Sequence, residues 1–495
     1  MKGFGEKNHS NKVKLPKNQE IVNRNQLIQK ALELQAQGNN LETAKYYEYL
    51  IKQGIKDYRV FSNYGAFLNE LGKHKEAELK LKKAIECNPK YPNAYYNLGY
   101  LFIKQGNLRK AEIYLRKAIE LKTDFALAHY NLGFILKDLG ELREAKLHTK
   151  NAININPKLT DAYYSLSTMS ESDTNQKWHK QLFSKNLSHN SSNRDLVNIL
   201  FARSNILHKR KNYKESAENL ITANTLKLKM HKSDANWLIN KTNELNTITN
   251  NYKNNCRQIS DAPTSIFIVG LPRCGSTLVE SIISLNSKVK DLGEINIFEE
   301  AFKECKNANQ ESNIWESYRE KIRIPNNKTT ITTNKWLYNY QYSGIIAKTI
   351  PNAKIIHCYR NPLDNILSIY RAHFGVGNTF SSSLIDCGKV YCDQEEIMEQ
   401  YKIKFRKQIY DLNYDYLVTN PAEAIKSLIL WLGWDWDKIY LSPHLNKREV
   451  LTRSNVEVRS PINSKSVGGW KNYKEMLKPA MEIITQDDKY KGLKY

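Results

Sequence analysis

The chemistry in this chain starts at one stretch, Gly270-Leu271-Pro272-Arg273-Cys274-Gly275-Ser276-Thr277. It follows a β-branched and aromatic run, Ser265 to Val269, and precedes the amphipathic segment LVESIISL, so the order is strand, tight loop, helix. Glycines at both ends free the backbone, and a helix N-terminus turns amide donors and its positive dipole end toward a phosphate or sulfate. The GxxxxG spacing is that of a nucleotide-phosphate loop, yet Ser276 stands where an NTPase loop needs lysine. The cation sits inside the loop instead, at Arg273.

A second apolar run, Lys354 to Tyr359, ends at Arg360, and Ser368 lies two helical turns further on. That placement lets both side chains close on one phosphate. Ligands of open α/β sheets bind beyond the strand C-termini, so both loops are expected to face one crevice. A third strand is expected over Asn413 to Val418, leading into the helix AEAIKSLILWLG. Near the end, RSPINSKSVGGWKNY places Gly468, Gly469, Trp470 and Lys471 in a loop able to wrap a nucleotide.

Other reactive residue types read as structural. His357 lies in an apolar strand and is expected to be a satisfied core histidine, and His373 a surface residue. Trp431, Trp434 and Trp436 follow an apolar helix and are expected in a core. Cys274 has no identifiable partner His, so it is not read as a nucleophile. The seven cysteines are scattered with no CxxC pair, which argues against a zinc site or disulfide scaffold and for a reducing compartment.

The elements that position these residues are legible from composition and periodicity. The chain has 495 residues, enough for two to four domains. Its 21 Gly and 13 Pro fall below average usage, which favours helix over turn-rich β structure. No apolar run is long enough to span a membrane, and the basic N-terminus lacks a signal-peptide core, so a soluble, cytoplasmic protein is expected. The net charge of +24 admits nucleic acid, a membrane surface or an anionic small molecule. No nucleic-acid motif accompanies it.

A 34-residue period runs through the first third. Gly65, Gly99 and Gly133 keep it, as do Gly72, Gly106 and Gly140, Ala77, Ala111 and Ala145, and Ala84, Ala118 and Ala152. Each unit reads as a helical hairpin that cannot bury its apolar face alone, so the units must stack. The pattern resembles the tetratricopeptide repeat, with copies at 58–91, 92–125 and 126–159. An imperfect copy covers Gln26 to Gly54, and another begins at Asp161. The resemblance implies a concave surface for a protein or peptide partner.

The second half, about 262–485, resembles sulfotransferases that use 3′-phosphoadenosine 5′-phosphosulfate (PAPS), in the branch that includes the tyrosylprotein sulfotransferases. The landmarks occur in order: PRCGST, the LGE at Leu292 to Glu294, TNK at Thr333 to Lys335, PNAKIIHCYRNPLDNILSIY, NYDYLV and RSNVEVRSPINSKSVGGW. The resemblance implies a Rossmann-like α/β domain with a central parallel sheet, PAPS as donor and no metal. It assigns Glu294 as general base, Lys335 as catalytic lysine and Ser454 as a serine near the donor. Arg273, Cys274, Gly275, Ser276 and Thr277 would hold the 5′-phosphosulfate, and Arg360 with Ser368 the 3′-phosphate. Tyr414, Asn463 and Gly468 to Lys471 would contact the nucleotide. Gly469 stands where the tyrosylprotein branch has Lys, leaving Lys465 or Lys471 to supply that charge.

The expected organisation is therefore a basic flexible N-terminus (1–20), repeats (21–185), a helical bridge and linker (186–261), the sulfotransferase domain (262–485) and a tail (486–495). The expected activity is sulfuryl transfer to a hydroxyl, with a protein tyrosine favoured as acceptor. The alternatives are a carbohydrate, lipid or small-molecule hydroxyl, or an adaptor whose nucleotide-binding half is inactive.

Overall fold

A computed structural model describes residues 24–54, 56–169, 177–189, 191–252, 262–308, 313–323, 330–375, 377–446, 448 and 456–493. The chain divides into two compact units, 1–128 and 129–495.

In the first unit the 34-residue period becomes helical hairpins. Arg24–Ala36 pairs with Asn40–Lys52, Tyr58–Glu70 with His74–Cys87, and Pro92–Lys104 with Leu108–Leu121. The repeat glycine is a packing requirement. A Cβ on Gly65 would lie 2.6 Å from Leu81 Cγ, and one on Gly99 2.7 Å from Leu115 Cγ, so any side chain there would push the two helices apart. The Gly-Asn turns end in caps, with the Asn107 side chain accepting from the Lys110 amide.

The second unit carries the next repeat helices, Leu142–Ile155 and Thr160–Met169, and then a hairpin of Asn193–Lys209 and Tyr213–Met230. Val197, Phe201, Leu220 and Ala223 of this hairpin belong to the same buried cluster as Phe267 and Val269 of the sheet. His373, expected at the surface, is half-buried here. Its ring stacks on Phe201 at 4.7 Å, and its Nε2 lies 3.0 Å from Asn198 Oδ1.

The sheet has five strands: β1 (Thr264–Gly270), β2 (Val289–Asp291), β3 (Ile331–Asn334), β4 (Ala353–Tyr359) and β5 (Ile409–Asn413). They lie in the order β2-β3-β1-β4-β5, and all neighbours are parallel. Both faces are covered, which is why β1 reads as a continuous apolar run. Phe267 and Val269 face one cluster, Ile266 and Ile268 the other. Trp431, Trp434 and Trp436 pack on the second cluster as expected. His357 is a satisfied core histidine, its Nδ1 2.7 Å from Asp411 Oδ1 and its Nε2 2.6 Å from the Gln394 amide.

The third expected strand is displaced. β5 ends at Asn413, where the expected strand began, and Tyr414–Thr419 is a short helix. The reason is local: the Asn413 side chain accepts from the Tyr416 amide and caps that helix, overriding the strand propensity of Tyr, Leu and Val.

Candidate active site

Because all five strands are parallel, their carboxyl ends share one edge, and each chain segment leaving that edge delivers a candidate residue. Arg273 to Thr277 follow β1, Glu294 follows β2, Lys335 follows β3, Arg360 follows β4 and Tyr414 follows β5. The chain builds β2 and β3 on one side of β1, then crosses to build β4 and β5 on the other. Such a reversal opens a crevice at the central strand.

On the β2–β3 side, the ladder continues past the strands and sets two side chains against each other. The Leu292 amide donates to Thr333 O and the Lys335 amide to Gly293 O, each at 2.9 Å. Lys335 Nζ then donates to Glu294 Oε1 at 2.7 Å. The lysine side chain is 1% exposed and the glutamate 43%, so a buried cation carries a carboxylate that still reaches solvent.

The loop after β1 turns sharply. Arg273 has φ +67°, and Gly275, at φ +97°, caps Ser276–Ile283 with no side-chain cap bond. A Cβ on Gly275 would lie 2.1 Å from Tyr414 Cδ2, so only glycine lets this loop pass the ring. Ser276 and Thr277 are buried. The Cys274 thiol is buried too, against Gly270, which leaves the loop its backbone at this position. Arg273 Nε donates to Ser368 Oγ at 3.1 Å, and its terminal nitrogen pairs with Glu457 at 2.5 Å. Burial opposes the charge on Arg273, but Glu457 outweighs it and the guanidinium stays firmly protonated. Ser368, expected to share a phosphate with Arg360, is thus also hydrogen-bonded to Arg273.

Arg360 lies 5% exposed with its guanidinium 4.8 Å from the centre of the Tyr414 ring. It donates to Ser466 O at 3.0 Å, while its Nε makes no hydrogen bond and lies 3.7 Å from Asp415 Oδ1. Asp364 anchors the C-terminal loop by accepting from the Gly468 and Trp470 amides at 2.7 and 2.9 Å. Burial pushes that carboxyl above its ordinary range, against the pull of those two amides and Arg360. Tyr414 Oη sits 3.2 Å from Ser466 Oγ, tying this loop to the short helix after β5. Asn463, Lys465 and Lys471 are exposed, and Asn463 accepts from the Lys465 amide to hold its own turn. Ser454 lies outside the described residues.

Several acidic or basic residues at this edge escaped the sequence reading. Glu280, Asp364 and Arg448 are engaged with the lysine and arginine sites, and Glu457 with Arg273. The only sequence signal for Glu280 is a carboxylate inside an otherwise apolar helix segment, LVESIISL. No group of three or more His, Cys, Asp or Glu among the described residues could hold a metal, and no described helix is long and apolar enough to cross a membrane.

Residues 263–438 match the model of the Sulfotransferase family, and repeat models match 65–106 (TPR repeat) and 92–125 and 126–159 (Tetratricopeptide repeat). A curated protein of Aquifex aeolicus (strain VF5), described as uncharacterized, is 29% identical over 314 residues, which cover 58% of this chain and 41% of that protein. The chain thus spans about two fifths of the length of the curated relative it matches. Among solved structures, Pseudomonas aeruginosa PilF is 13% identical with a TM-score of 0.34, covering 41% of this chain and 91% of that one. YrrB, described as a TPR protein with an unusual peptide-binding site, is 19% identical with a TM-score of 0.27, covering 37% and 90%. The chain carries tetratricopeptide repeats and a sulfotransferase-family domain.

Proposed function

We propose that the protein transfers the sulfuryl group of PAPS to an acceptor hydroxyl, with a protein tyrosine as the favoured acceptor and the repeats recruiting the acceptor or its carrier. The observation that carries this reading is the Glu294–Lys335 pair, at 2.7 Å, on the strand edge that also bears Arg273 and Arg360. The edge suits the donor's chemistry. Arg360 keeps an unbonded buried Nε, Arg273 already carries an anion in Glu457, and Gly275 opens a helix N-terminus that no side chain caps.

In the proposed reaction the acceptor oxygen attacks sulfur as the bond from sulfur to the 5′-phosphate oxygen breaks. Glu294 takes the hydroxyl proton, and its partial exposure lets an acceptor reach it. Charge developing on the leaving oxygen is met by Lys335 and Arg273, and Ser454 donates a hydrogen bond to it. Arg360 and Ser368 hold the 3′-phosphate. Tyr414, Asn463 and the segment Gly468 to Lys471 hold the nucleoside. Positioning and fixed charge dominate such a transfer, and metal is not part of this scheme.

The test is incubation with radiosulfur-labelled PAPS and a panel of tyrosine peptides, glycans and phenols, with products read by mass for one added sulfuryl group. Label on a tyrosine peptide supports the reading in full, and label on another hydroxyl corrects the acceptor. PAPS binding without transfer to any member overturns it in favour of an adaptor.

A further inference from the structure

Lys335 faces a second carboxylate that the reaction above does not use. Glu280 lies on the helix Ser276–Ile283 that leaves the phosphate loop, and its side chain is 1% exposed. Its Oε2 is 3.5 Å from Lys335 Nζ and 2.8 Å from Arg448. Its Oε1 is buried with no hydrogen-bond partner. Arg448 in turn pairs with Asp291, the last residue of β2, and reaches Ser281 Oγ at 3.3 Å. The groups facing Glu280 are thus Lys335 after β3, Arg448 from the C-terminal segment and Asp291 from β2.

A carboxylate is costly to bury, and an ion pair repays that only with good geometry and satisfied lone pairs. Glu280 leaves one oxygen unsatisfied, so packing stability alone is a poor account of it. The reaction supplies a better one. When Glu294 takes the acceptor's proton it becomes neutral, and a lysine sealed from water loses its nearest counter-charge just as the leaving oxygen needs it. A fixed second carboxylate keeps the ammonium charged and in place through that step.

We infer that Glu280 is a positioning residue for Lys335, locked in turn by Arg448 and Asp291. Burial, helped by the neighbouring Asp291 carboxylate, pushes the Glu280 carboxyl up to about 7, and Lys335 and Arg448 pull the other way, toward the ionised form. The assignment rests on the sulfotransfer reading of Lys335.

The test is a double-mutant cycle in the full-length protein: wild type, Glu280→Gln, Lys335→Ala and the double variant. Each is assayed for sulfuryl transfer from PAPS to the acceptor found, or to water where none is found, and for affinity for adenosine 3′,5′-bisphosphate. A misplaced catalytic group costs on the order of 100-fold per ångström, so Glu280→Gln is expected to lower kcat about tenfold or more. KM for PAPS and the bisphosphate affinity should stay within about threefold, and the substitution should add nothing to Lys335→Ala. A kcat within about twofold of wild type, or losses that simply multiply in the double variant, overturns the assignment. Should Glu280→Gln fail to fold, Arg448→Lys, which keeps the charge but loses the guanidinium fork, is expected to show the same split between kcat and KM, and an unchanged kcat overturns the assignment. A wild type that binds the bisphosphate but transfers to nothing defeats the sulfotransfer reading instead. The link between Glu280 and Lys335 is then read from urea midpoints of the same four proteins, where non-additive shifts sustain it and additive shifts overturn it.

Discussion

Lys335 and Arg360 occupy matching places, each the first residue after a parallel strand and each buried, yet their charges are balanced differently. Lys335 lies against Glu294 and Glu280 at 2.7 and 3.5 Å. Arg360 leans on the Tyr414 ring and a backbone carbonyl, with its nearest carboxylate oxygens at 3.7 and 3.9 Å and its Nε unbonded. A cation held by close carboxylates suits proton and charge movement between fixed partners. A cation held by a ring and a carbonyl keeps donors for an incoming anion. Under the proposed function, one edge of the sheet thus divides chemistry from binding.

The sharpest break in this comparison is Glu294→Gln, which keeps the contact to Lys335 but removes the base. General-base loss predicts a fall in kcat of about 10²–10⁴, with PAPS affinity nearly unchanged, measured by steady-state transfer and calorimetry. Lys335→Ala comes next, at about 10²–10³ in kcat, the cost of removing one preorganised charge from a developing oxyanion. Arg360→Ala should act on the other side of the division. Loss of charge-assisted hydrogen bonds weakens adenosine 3′,5′-bisphosphate binding by about 10–100-fold, while kcat at saturating donor changes little. An equal fall in kcat for Arg360→Ala would erase the distinction.

Glu457→Gln tests whether the anion already on Arg273 competes with the donor. Removing an exposed competing carboxylate is expected to tighten bisphosphate binding by about two- to fivefold, and the gain should shrink in high salt. The smallest effect concerns pH. Glu280 sits at about 7 in the folded protein against an ordinary 4.5, so below 4.5 both states hold the proton and nothing is lost. As pH rises toward 7 the unfolded chain releases its proton first, and stability falls. Thermal melts of Glu280→Gln should lack that decline between 4.5 and 7.

The repeats were legible because their information is local. Glycine and alanine recur at one spacing, and Gly65 and Gly99 each meet a leucine 16 residues later in the same hairpin. The α/β unit was legible at its strand ends, where the residue types at Arg273, Lys335 and Arg360 announce charge. It was illegible wherever the partner comes from far along the chain. Glu280 meets Arg448, Ser368 meets Arg273, and Phe201 takes the ring of His373. Asn413 shows the opposite failure, a short-range cap that overrode strand-forming neighbours. The Sulfotransferase family match ends at residue 438, before Arg448 and Glu457, so the segment closing the site lies beyond it.

The hairpin Asn193–Lys209 and Tyr213–Met230 bears on how the α/β half can be cut. Tyr473 Oη meets His208 Nδ1 at 2.8 Å and Ser216 Oγ at 2.9 Å, and Asn224 and Lys227 donate to the carbonyls of Tyr370 and Phe374. A fragment begun at β1, where the family match begins, would bare the core face beneath Phe201 and Leu220 and strip those carbonyls of their donors. Expression boundaries for the α/β half therefore belong ahead of Asn193, some seventy residues before the first strand of its sheet.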